Sequence, residues 1–402
     1  MSLAIISTHP VQYRAPVYRA LRNTFDIDLT VVYGSDMSVA GYKDKEFGTT
    51  FSWDSDLLSG YQAYFLSRTE KGSEEAGQRY GAGGVARAMN ELKPAAVLME
   101  GYAHPLYRQA FREAARAHCS VMFRAETTDH AKQRSMVKRW LRDRYLKGVY
   151  ARCDTLLYIG EYSRRHYERL GCPAGKLVFS PYGVDTASFQ CGEEQRSGLR
   201  KEVRASLGAR DEEIVFLFSG KLVNRKGPDL LVSAVRALGD DLRRRCRVLF
   251  LGSGGLQGRL QAHAQREPAV RVHFAGFRNQ TQMSRYYHGA DLLVLPSRHS
   301  ETWGLVVNEA LHHGLPCVVS DAVGCTPDLI ETGVTGEICV AASAQSLAEA
   351  LRRSLDLAGR EDIRRRCREK AGAYTIEDAA AGIAKAYRAL IGNGAGRGRG
   401  HG

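Results

Sequence analysis

The 402-residue sequence lacks three features that are typical of membrane and secreted proteins. No run of 18 or more apolar residues is present, so we expect no membrane-spanning helix. No basic stretch followed by a long apolar stretch opens the chain at MSLAIISTHP, which predicts no signal peptide and a cytoplasmic location. The nine cysteines are scattered singly without a C-x-x-C pair, so we expect reduced, mostly packed thiols rather than disulfides or a zinc site.

Acidic residues are in deficit, because 44 Asp and Glu residues oppose 57 Lys and Arg residues, for a net charge of +13. This balance favours anionic partners: a nucleotide, a nucleic acid or an acidic membrane surface. The Gly/Arg tail at 392–402 is predicted to be disordered and would suit RNA, so a nucleic-acid-binding protein is one alternative. That alternative requires a clustered basic stripe with stacking aromatics. Since the charge is spread over many helices, we expect no nucleic-acid partner.

Short apolar runs alternate with helix-length amphipathic stretches, which is typical of a parallel sheet covered by helices. The alternation stops in a polar stretch after Asp185 and then restarts, so we predict an α/β protein with two doubly wound, Rossmann-like domains. The predicted boundaries are 1–190 for the first domain, 191–375 for the second, and 376–391 for a last helix that returns to the first. Such sheets bind ligands at the carboxyl ends of their strands, so the cleft between the domains is the expected site.

Two lysines straddle a predicted strand-to-helix turn in FSGKLVNRKGPDLLVSAV at 218–235. A pyrophosphate carries about two negative charges, which Lys221 and Lys226 can compensate together with backbone N–H groups at a helix start. A basic, solvated loop is the alternative interpretation. The glycine-rich turn LGSGGLQGRL at 251–260 is a weaker signal, because it lacks the spacing of a Walker loop and only loosely fits a dinucleotide fingerprint.

Two acids flank a predicted helix start in PSRHSETWGLVVNEALHHGLPC. A helix that begins near Gly304 points the N–H groups of Gly304, Leu305 and Val306 out of its positive end. Glu301 would then lie at the mouth of the helix and Glu309 one to two turns inside it. A carboxylate can accept two hydrogen bonds from a vicinal diol, the group that a ribose and a hexose both present. A helix-dipole acid and a surface acid are the alternative, but the nearby lysine turn favours one shared site.

These segments resemble the retaining, nucleotide-sugar-dependent glycosyltransferases of family four, which have the GT-B fold with two domains facing across a cleft. The resemblance covers nearly the whole chain and rests on G-K-L-x3-K-G at 220–227, on PYGVDTASF at 181–189, and on the E-x7-E spacing of Glu301 and Glu309. It implies that the catalytic residues include Glu301, which would hold the transferred sugar near the reacting carbon.

The same resemblance implies how the donor is bound. Lys221, where the family more often has Arg, and Lys226 would bind the donor diphosphate, and Glu309 would bind the ribose. The amides of Gly304, Leu305 and Val306 would meet the phosphate or the sugar. Phe277 and Arg278, at a predicted strand end in HFAGFRNQ, would flank the base.

The first half resembles a subset of that family whose members begin with an HPVQY-like motif, here THPVQYRAPVYRAL at 8–21. Many family members carry a Gly-Gly loop at this place, so the contacts of that loop are not carried over to this chain. His104 falls where the family usually has a His near the anomeric centre, which makes it the second catalytic candidate, although a His before Pro105 can also cap a helix. The remaining acceptor-side or sugar-side candidates are His9, Gln12, Arg124 and Glu126.

Two D-x-D pairs, Asp26/Asp28 and Asp54/Asp56, raise the question of a metal. The first lies within a strand pattern, and the lysine pair already supplies positive charge for the phosphates. We therefore expect neither a metal nor another cofactor, apart from the nucleotide-sugar substrate itself.

A basic amphipathic segment at 132–152 bears on the partners. It sets Val137, Trp140, Leu141, Tyr145 and Val149 on one stripe, with basic residues mostly elsewhere. Packing against a domain is the commoner fate of such a stripe. The alternative is a helix that lies on an anionic membrane surface and associates the protein with the inner face of the membrane.

The predicted function is that of a retaining, hexosyltransferase-type glycosyltransferase in glycan, glycolipid or natural-product glycoside biosynthesis. It moves a sugar from a nucleoside diphosphate sugar to an acceptor hydroxyl, with a lipid-linked acceptor among the alternatives. The resemblance suggests a front-face route in which a phosphate oxygen of the leaving group takes the acceptor proton. A sugar-nucleotide epimerase or a phosphorylase on the same fold is the enzymatic alternative.

Overall fold

A computed structural model describes residues 1–40, 42–44, 49–51, 56–68, 84–131, 134–187, 189 and 191–397 of the chain. Within these ranges the chain forms two parallel sheets, each covered by helices, so the prediction of two doubly wound domains is confirmed. A short antiparallel pair formed by residues 42–44 and 49–51 has no counterpart in the predicted alternation.

The first sheet runs in the order β5-β2-β1-β6-β7-β8-β9, and all its pairings are parallel. The linker between the domains is the segment 180–192, from the end of β9 to the start of α7. The strands before it are β1 (Leu3–Ser7), β2 (Leu29–Tyr33), β3 (Tyr42–Asp44), β4 (Thr49–Phe51), β5 (Gln62–Phe65), β6 (Ala96–Met99), β7 (Ser120–Arg124), β8 (Thr155–Tyr158) and β9 (Leu177–Phe179). The helices are α1 (Ala15–Asn23), α2 (Met37–Ala40), α3 (Val85–Leu92), α4 (Pro105–Arg116), α5 (Met136–Ala151) and α6 (Glu161–Arg169).

The second sheet runs in the order β12-β11-β10-β13-β14-β15, again with parallel pairings. Its strands are β10 (Ile214–Ser219), β11 (Cys246–Leu251), β12 (Arg271–Gly276), β13 (Leu292–Leu295), β14 (Cys317–Ser320) and β15 (Gly336–Cys339). The remaining helices are α7 (Glu193–Ser206), α8 (Pro228–Arg236), α9 (Asp240–Arg244), α10 (Gln257–Arg266), α11 (Gln280–Gly289), α12 (Leu305–His312), α13 (Thr326–Leu329), α14 (Ala344–Ser354), α15 (Glu361–Ala371) and α16 (Ile376–Arg397).

The central strands are apolar on both faces because helices cover both sides of each sheet. In the first domain Ile5 of β1 pairs in register with Val31 of β2 and Leu98 of β6, and all three are fully buried. In the second domain Leu217 of β10 pairs with Leu249 of β11 inside the core. This arrangement brings the carboxyl ends of the strands of both sheets to the cleft.

The last helix, α16, packs on the first sheet rather than the second. Ile376 and Ile383 are buried in the same core cluster as Leu3 of β1. The helix backbone approaches β9 so closely at Gly382 that a Cβ there would collide with the carbonyl of Phe179. At its far end the Tyr387 hydroxyl donates to the carbonyl of Met1 at 2.6 Å. The chain thus crosses between the domains twice, and the two crossings meet where Val184 bridges Thr375.

The sequence predicts a disordered Gly/Arg tail from residue 392 onward. In the structure, residues 392–397 instead belong to α16, whose backbone is helical as far as Arg397. Residues 398–402 lie outside the described part of the chain. Among the described helices, none combines the length and apolarity that crossing a bilayer requires.

Candidate active site

The turn after β10 is shaped by glycines that let two loops touch. Gly220 has a φ of 135°, and its N–H donates to the carbonyl of Leu251 at 2.9 Å. A Cβ at Gly252 would collide with the carbonyl of Gly220, and one at Gly254 would lie 2.6 Å from the carbonyl of Leu222. The glycine-rich turn therefore supports the lysine turn by close backbone packing, which explains its composition without a phosphate of its own.

Lys226 and Glu301 meet at the end of this turn, with Nζ of the lysine 2.9 Å from Oε2 of the glutamate. Both side chains are about nine-tenths buried, at 13% and 11% exposure, and the Ser297 hydroxyl donates to the same carboxylate oxygen at 3.1 Å. A buried ion pair holds its geometry because leaving either charge unpaired is costly. The structure thus brings together two of the residues that the sequence assigned to one site.

The loop before α12 is tied to the lysine turn by Arg298. Its guanidinium forms two hydrogen bonds to the carboxylate of Asp229, at 2.8 and 2.7 Å, and its backbone N–H donates to the carbonyl of Arg225 at 2.7 Å. Asp229 lies in the first turn of α8. The two loops that carry Lys226 and Glu301 are therefore one connected unit.

The amino end of α12 lies beside this pair. Gly304 is the N-cap with a φ of 99°, and a Cβ there would lie 2.9 Å from Cγ1 of Val323. The first N–H groups of a helix have no partner within the helix and carry its positive partial charge. Those of Leu305 and Val306 belong to this first turn, so the helix start can receive an anion.

Glu309 is buried inside α12, with 8% of its surface exposed. The hydroxyl of Tyr287, on α11, donates to its Oε2 at 2.5 Å. Burial raises the pKa of Glu309 to about 7, partly offset by the Tyr287 hydrogen bond and by the charge of Lys226. No sequence motif pointed to Tyr287 as a partner of Glu309, because Tyr287 lies on a different helix.

A cavity of about 220 Å³ lies between the two domains and is lined by residues of both. Glu309 and Leu305 line it from the second domain, and Gln12 and Tyr13 line it from the first. The side-chain amide of Gln12 donates across the cleft to that of Gln280. The HPVQY-like motif and the second acid of the E-x7-E spacing thus face one cavity. Phe277 and Arg278 follow β12 just before Gln280, and Nε of Arg278 donates to the Tyr286 hydroxyl at 3.2 Å.

The two histidine candidates make local contacts. Nδ1 of His104 accepts the N–H of Leu106 at 3.2 Å, so His104 caps α4, and partial burial followed by the charge of Arg108 lowers its pKa. Nδ1 of His9 lies 3.0 Å from the Thr8 hydroxyl, and burial, followed by the charge of Arg14, lowers the pKa of His9 to about 4. Both imidazoles are therefore predominantly neutral at pH 7.

Arg124 and Glu126 follow β7 but differ in what they contact. The buried guanidinium of Arg124 donates to the carbonyls of Ser180 and Pro181, at 3.3 and 2.6 Å, and so supports the linker. The carboxylate of Glu126 accepts hydrogen bonds from the hydroxyls of Tyr13 and Tyr182, at 3.1 and 2.7 Å. Of these two candidates, Glu126 is the one that contacts a residue lining the cavity.

A buried charge cluster behind the HPVQY-like motif was not singled out by the sequence. Arg14 forms an ion pair with Glu100 at 2.7 Å, and the Tyr18 hydroxyl donates to the same carboxylate at 2.7 Å. Arg14 directly follows the motif, and Glu100 directly follows β6. The position of Glu100 at a strand end was the available signal.

One member of each aspartate pair has a local partner. Asp28 pairs with Arg22 at 3.1 Å, and Oδ1 of Asp56 accepts the N–H groups of Leu58 and Ser59, both at 3.0 Å. Asp54 lies outside the described residues.

The chain matches two families of known proteins. Residues 200–373 match the family described as "Glycosyl transferases group 1", and residues 73–183 match the "Glycosyl transferase 4-like domain". Together the two ranges cover most of both domains. Both matched ranges therefore resemble glycosyltransferase domains.

Curated relatives include two D-inositol 3-phosphate glycosyltransferases. That of Geodermatophilus obscurus is 32% identical over 252 residues, which cover 60% of this chain and 54% of the relative. That of Mycobacterium marinum is 33% identical over 230 residues, which cover 55% of this chain and 46% of the relative. The chain therefore spans about half the length of these relatives.

Solved structures resemble the whole chain. A crystal structure of Anabaena HepE in complex with UDP and glucose has a TM-score of 0.69 at 16% identity and covers 97% of this chain and 100% of that one. Sucrose-phosphate synthase from Thermosynechococcus elongatus has a TM-score of 0.70 at 18% identity, with coverages of 98% and 100%. The fold is therefore GT-B, as the resemblance in the sequence implied.

Proposed function

We propose that this chain transfers a hexosyl group from a nucleoside diphosphate sugar to an acceptor hydroxyl, with retention of the anomeric configuration. The observation that carries the proposal is the grouping of Lys226, Glu301 and Glu309 around the amino end of α12, beside the interdomain cavity. The glycosyltransferase domains at 73–183 and 200–373 support the class of reaction.

In this proposal the donor diphosphate is bound by Lys221, Lys226 and the N–H groups at the start of α12. When the bond to the sugar breaks, negative charge grows on the diphosphate, and preorganised cations and dipoles stabilise that charge. These groups supply the compensation that a metal would supply elsewhere, so no metal is required. Because Lys226 already contacts Glu301, it can link the phosphate end of the donor to the carboxylate that holds the sugar.

Glu309 binds the ribose in this proposal. One of its oxygens accepts the Tyr287 hydroxyl, which leaves the other oxygen for a ribose hydroxyl. Phe277 and Arg278 flank the base. We take UDP-glucose as the first donor to test, since UDP and glucose are the ligands in the HepE structure. In the front-face route, a leaving phosphate oxygen accepts the proton of the acceptor hydroxyl as the new bond forms on the same face.

The donor site is tested by alanine substitution. We expect Lys226→Ala and Glu309→Ala each to lower turnover by about 10²-fold or more, because each removes a preorganised contact to the donor. The matched controls are Lys201→Ala and Glu331→Ala, which remove exposed residues of the same types in the same domain. Binding of UDP, GDP, ADP and dTDP sugars is followed by thermal shift, since a ligand at about 100 times its Kd stabilises the fold by about 2.7 kcal/mol. Unchanged turnover in both site variants would contradict the assignment.

The epimerase and phosphorylase alternatives are separated by the products. A transferase releases nucleoside diphosphate when acceptor is added, an epimerase leaves the nucleotide sugar intact, and a phosphorylase forms a sugar phosphate. Nuclear magnetic resonance of the product anomer then decides between retention and inversion. Release of nucleoside diphosphate at the same rate without acceptor would contradict transfer to an acceptor.

We further propose that the acceptor is lipid-linked and that the protein works at the anionic inner face of a membrane. The first three turns of α5 expose an apolar patch, with Met136 at 88%, Trp140 at 63% and Leu141 at 55% exposure. Exposed basic residues surround this patch, among them Lys138, Arg139, Arg144 and Lys147. An exposed apolar patch with a basic border fits the headgroup region of an anionic bilayer.

The position of this patch relates it to the acceptor side of the cleft. The Tyr145 hydroxyl of α5 donates to the carbonyl of Tyr102 at 3.4 Å, and the two rings are 6.1 Å apart. Tyr102 lies in the loop after β6 that leads to His104. A lipid anchored under α5 would therefore bring its head group to the loop that carries His104.

A further inference from the structure

The loop that carries Glu301 belongs to the second domain but also contacts the first domain. The N–H of Ser300 donates to the carbonyl of Ala131 at 2.8 Å, and a Cβ at Gly160 would collide with the ring of Trp303. Ser300 has a φ of 60°, a left-handed conformation that persists in a non-glycine residue where its surroundings hold it. The interdomain contact thus holds a strained turn directly before Glu301.

Glu126 is the centre of this contact. Its Oε1 accepts the hydroxyls of Tyr13 and Tyr182, and its Oε2 accepts the hydroxyl of Thr302 at 2.5 Å. Hydrogen bonds to an ionised carboxylate are stronger than neutral ones, and this carboxylate collects three of them. The donors come from the HPVQY-like motif, from the linker and from the second domain.

Thr302 stands between the two parts of the donor site. Glu301 precedes it in sequence and pairs with Lys226 at 2.9 Å, and Gly304, the N-cap of α12, is two residues further on. Trp303 is fixed from the other side, since its Nε1 donates to Asn308 at 2.8 Å and Asn308 donates to the carbonyl of Tyr182 at 3.1 Å. A shift of Thr302 would therefore move both Glu301 and the start of the helix.

We propose that Glu126 and Thr302 form an interdomain latch that sets Glu301 and the amino end of α12 in their working positions when the two domains close. Both are positioning residues, and the effect of the latch on transfer rests on the function proposed above. Lys221, Lys226 and Glu309 all belong to the second domain, so the nucleotide binds without the latch. The latch instead couples closure of the cleft to the position of Glu301, which holds the transferred sugar in the proposed function.

The latch is tested first without any ligand, by the fluorescence of Trp303, which is 3% exposed. Replacing the two other tryptophans by Trp53→Phe and Trp140→Phe leaves Trp303 as the only emitter of the three. In this background we expect Thr302→Val, which keeps the shape and removes the hydroxyl, to shift the emission to the red and to increase quenching by acrylamide. Thr302→Ser keeps the hydroxyl and serves as the matched control, with unshifted emission.

A double-mutant cycle separates the latch from a general loss of structure. We expect Glu126→Gln to produce the same direction of shift, and Thr302→Val to add little when Glu126 is already replaced, because interacting residues are not additive. Far-UV circular dichroism at the same temperature checks that every variant is folded. Fully additive shifts, or wild-type emission in Thr302→Val, would overturn the latch.

Kinetics with UDP-glucose then test its consequence. Thr302→Val should lower kcat by about tenfold or more, as a misplaced reacting group does, while the donor KM changes by less than about threefold. Thr302→Ser should restore kcat. A rise in KM at constant kcat would overturn the positioning role. If the wild-type protein neither binds nor turns over any nucleotide sugar, the proposed function is contradicted. The fluorescence measurements alone would then test whether Glu126 and Thr302 form the latch.

Discussion

Glu309 shows how burial sets the behaviour of a single residue. Its pKa is raised to about 7 from an ordinary value of 4.5, so between these values the folded protein holds a proton that the unfolded chain has lost. The contribution of this residue to the free energy of unfolding therefore falls as the pH rises from 4.5 to 7, by about 3 kcal/mol. Glutamine does not titrate, so Glu309→Gln should remove this dependence.

We accordingly expect Glu309→Gln to gain stability relative to the wild type as the pH rises from 5 to 8, while it loses affinity for nucleotides. Thermal unfolding of both proteins at the two pH values measures the effect, and the difference between them cancels the groups that titrate in both. The amide can still accept the Tyr287 hydroxyl, so any constant offset belongs to its unpaired NH₂ group. A Tm difference that does not change with pH would show that Glu309 does not titrate in this range.

At the scale of the element, Gly304 determines how α12 begins. Alanine at a φ of 99° is strained, and its Cβ would also lie 2.9 Å from Val323, so we expect Gly304→Ala to cost about 1–3 kcal/mol and to weaken nucleotide binding. Gly359→Ala is the matched control, because Gly359 has a φ of 72° with no atom near its Cβ position. Urea unfolding and nucleotide thermal shift separate strain, which both variants share, from displacement of the helix start. Equal nucleotide affinity in the two variants would contradict a role for that helix start in the site.

Helix α5 is the second element with a testable surface. Its buried side holds Leu146, Val149 and Tyr150, so Val149 is the one member of the predicted stripe that packs inward. The other four members are exposed, contrary to the packing that the sequence favoured: Val137, Trp140, Leu141 and Tyr145. We expect the double variant Trp140→Ser and Leu141→Ser to reduce co-sedimentation with vesicles that contain phosphatidylglycerol by about 30-fold or more, since each lost side chain contributes more than about 1 kcal/mol of burial. Val340→Ser, at a 59%-exposed apolar position in the second domain, is the control. If the wild-type protein binds neutral phosphatidylcholine vesicles equally well, the basic residues around the patch do not contribute to membrane binding.

At the scale of the whole molecule, the first domain depends on the last helix. Ile376, Ile383 and Tyr387 of α16 are buried against the first sheet. Ending the chain at Thr375 would uncover this apolar face, so we expect that variant to aggregate or to bind a hydrophobic dye, with loss of cooperative unfolding. Deleting only 392–402 should leave the Tm and sugar transfer unchanged, with no dependence on RNA. A soluble 1–375 variant with the wild-type Tm would contradict this dependence.

The fold could be predicted from the sequence because buried parallel strands read as continuous apolar runs such as LAIIS and CVVS. The meeting of Lys226 with Glu301 could be predicted as well, since both follow strands of one sheet and such strands end at one edge. Tyr287 and Thr302 could not be assigned, because each reaches its partner by packing between distant segments and no local pattern marks such a contact. Glu100 had its place at a strand end as a signal, but its partners Arg14 and Tyr18 could not be inferred from that place. For the same reason the sequence left open whether the glycines at 252 and 254 support a loop or a phosphate.

The return of α16 to the first sheet has a consequence for biosynthesis. The ribosome makes residues 1–179, with all the strands of the first sheet, long before it makes residues 376–391. The apolar face of the first domain that α16 covers therefore stays exposed while the second domain is synthesised and folds. N-terminal domains generally fold first during translation, whereas here the first of the two domains is completed only after the second has been made. Chaperone contact with the first domain should accordingly persist until α16 has left the exit tunnel.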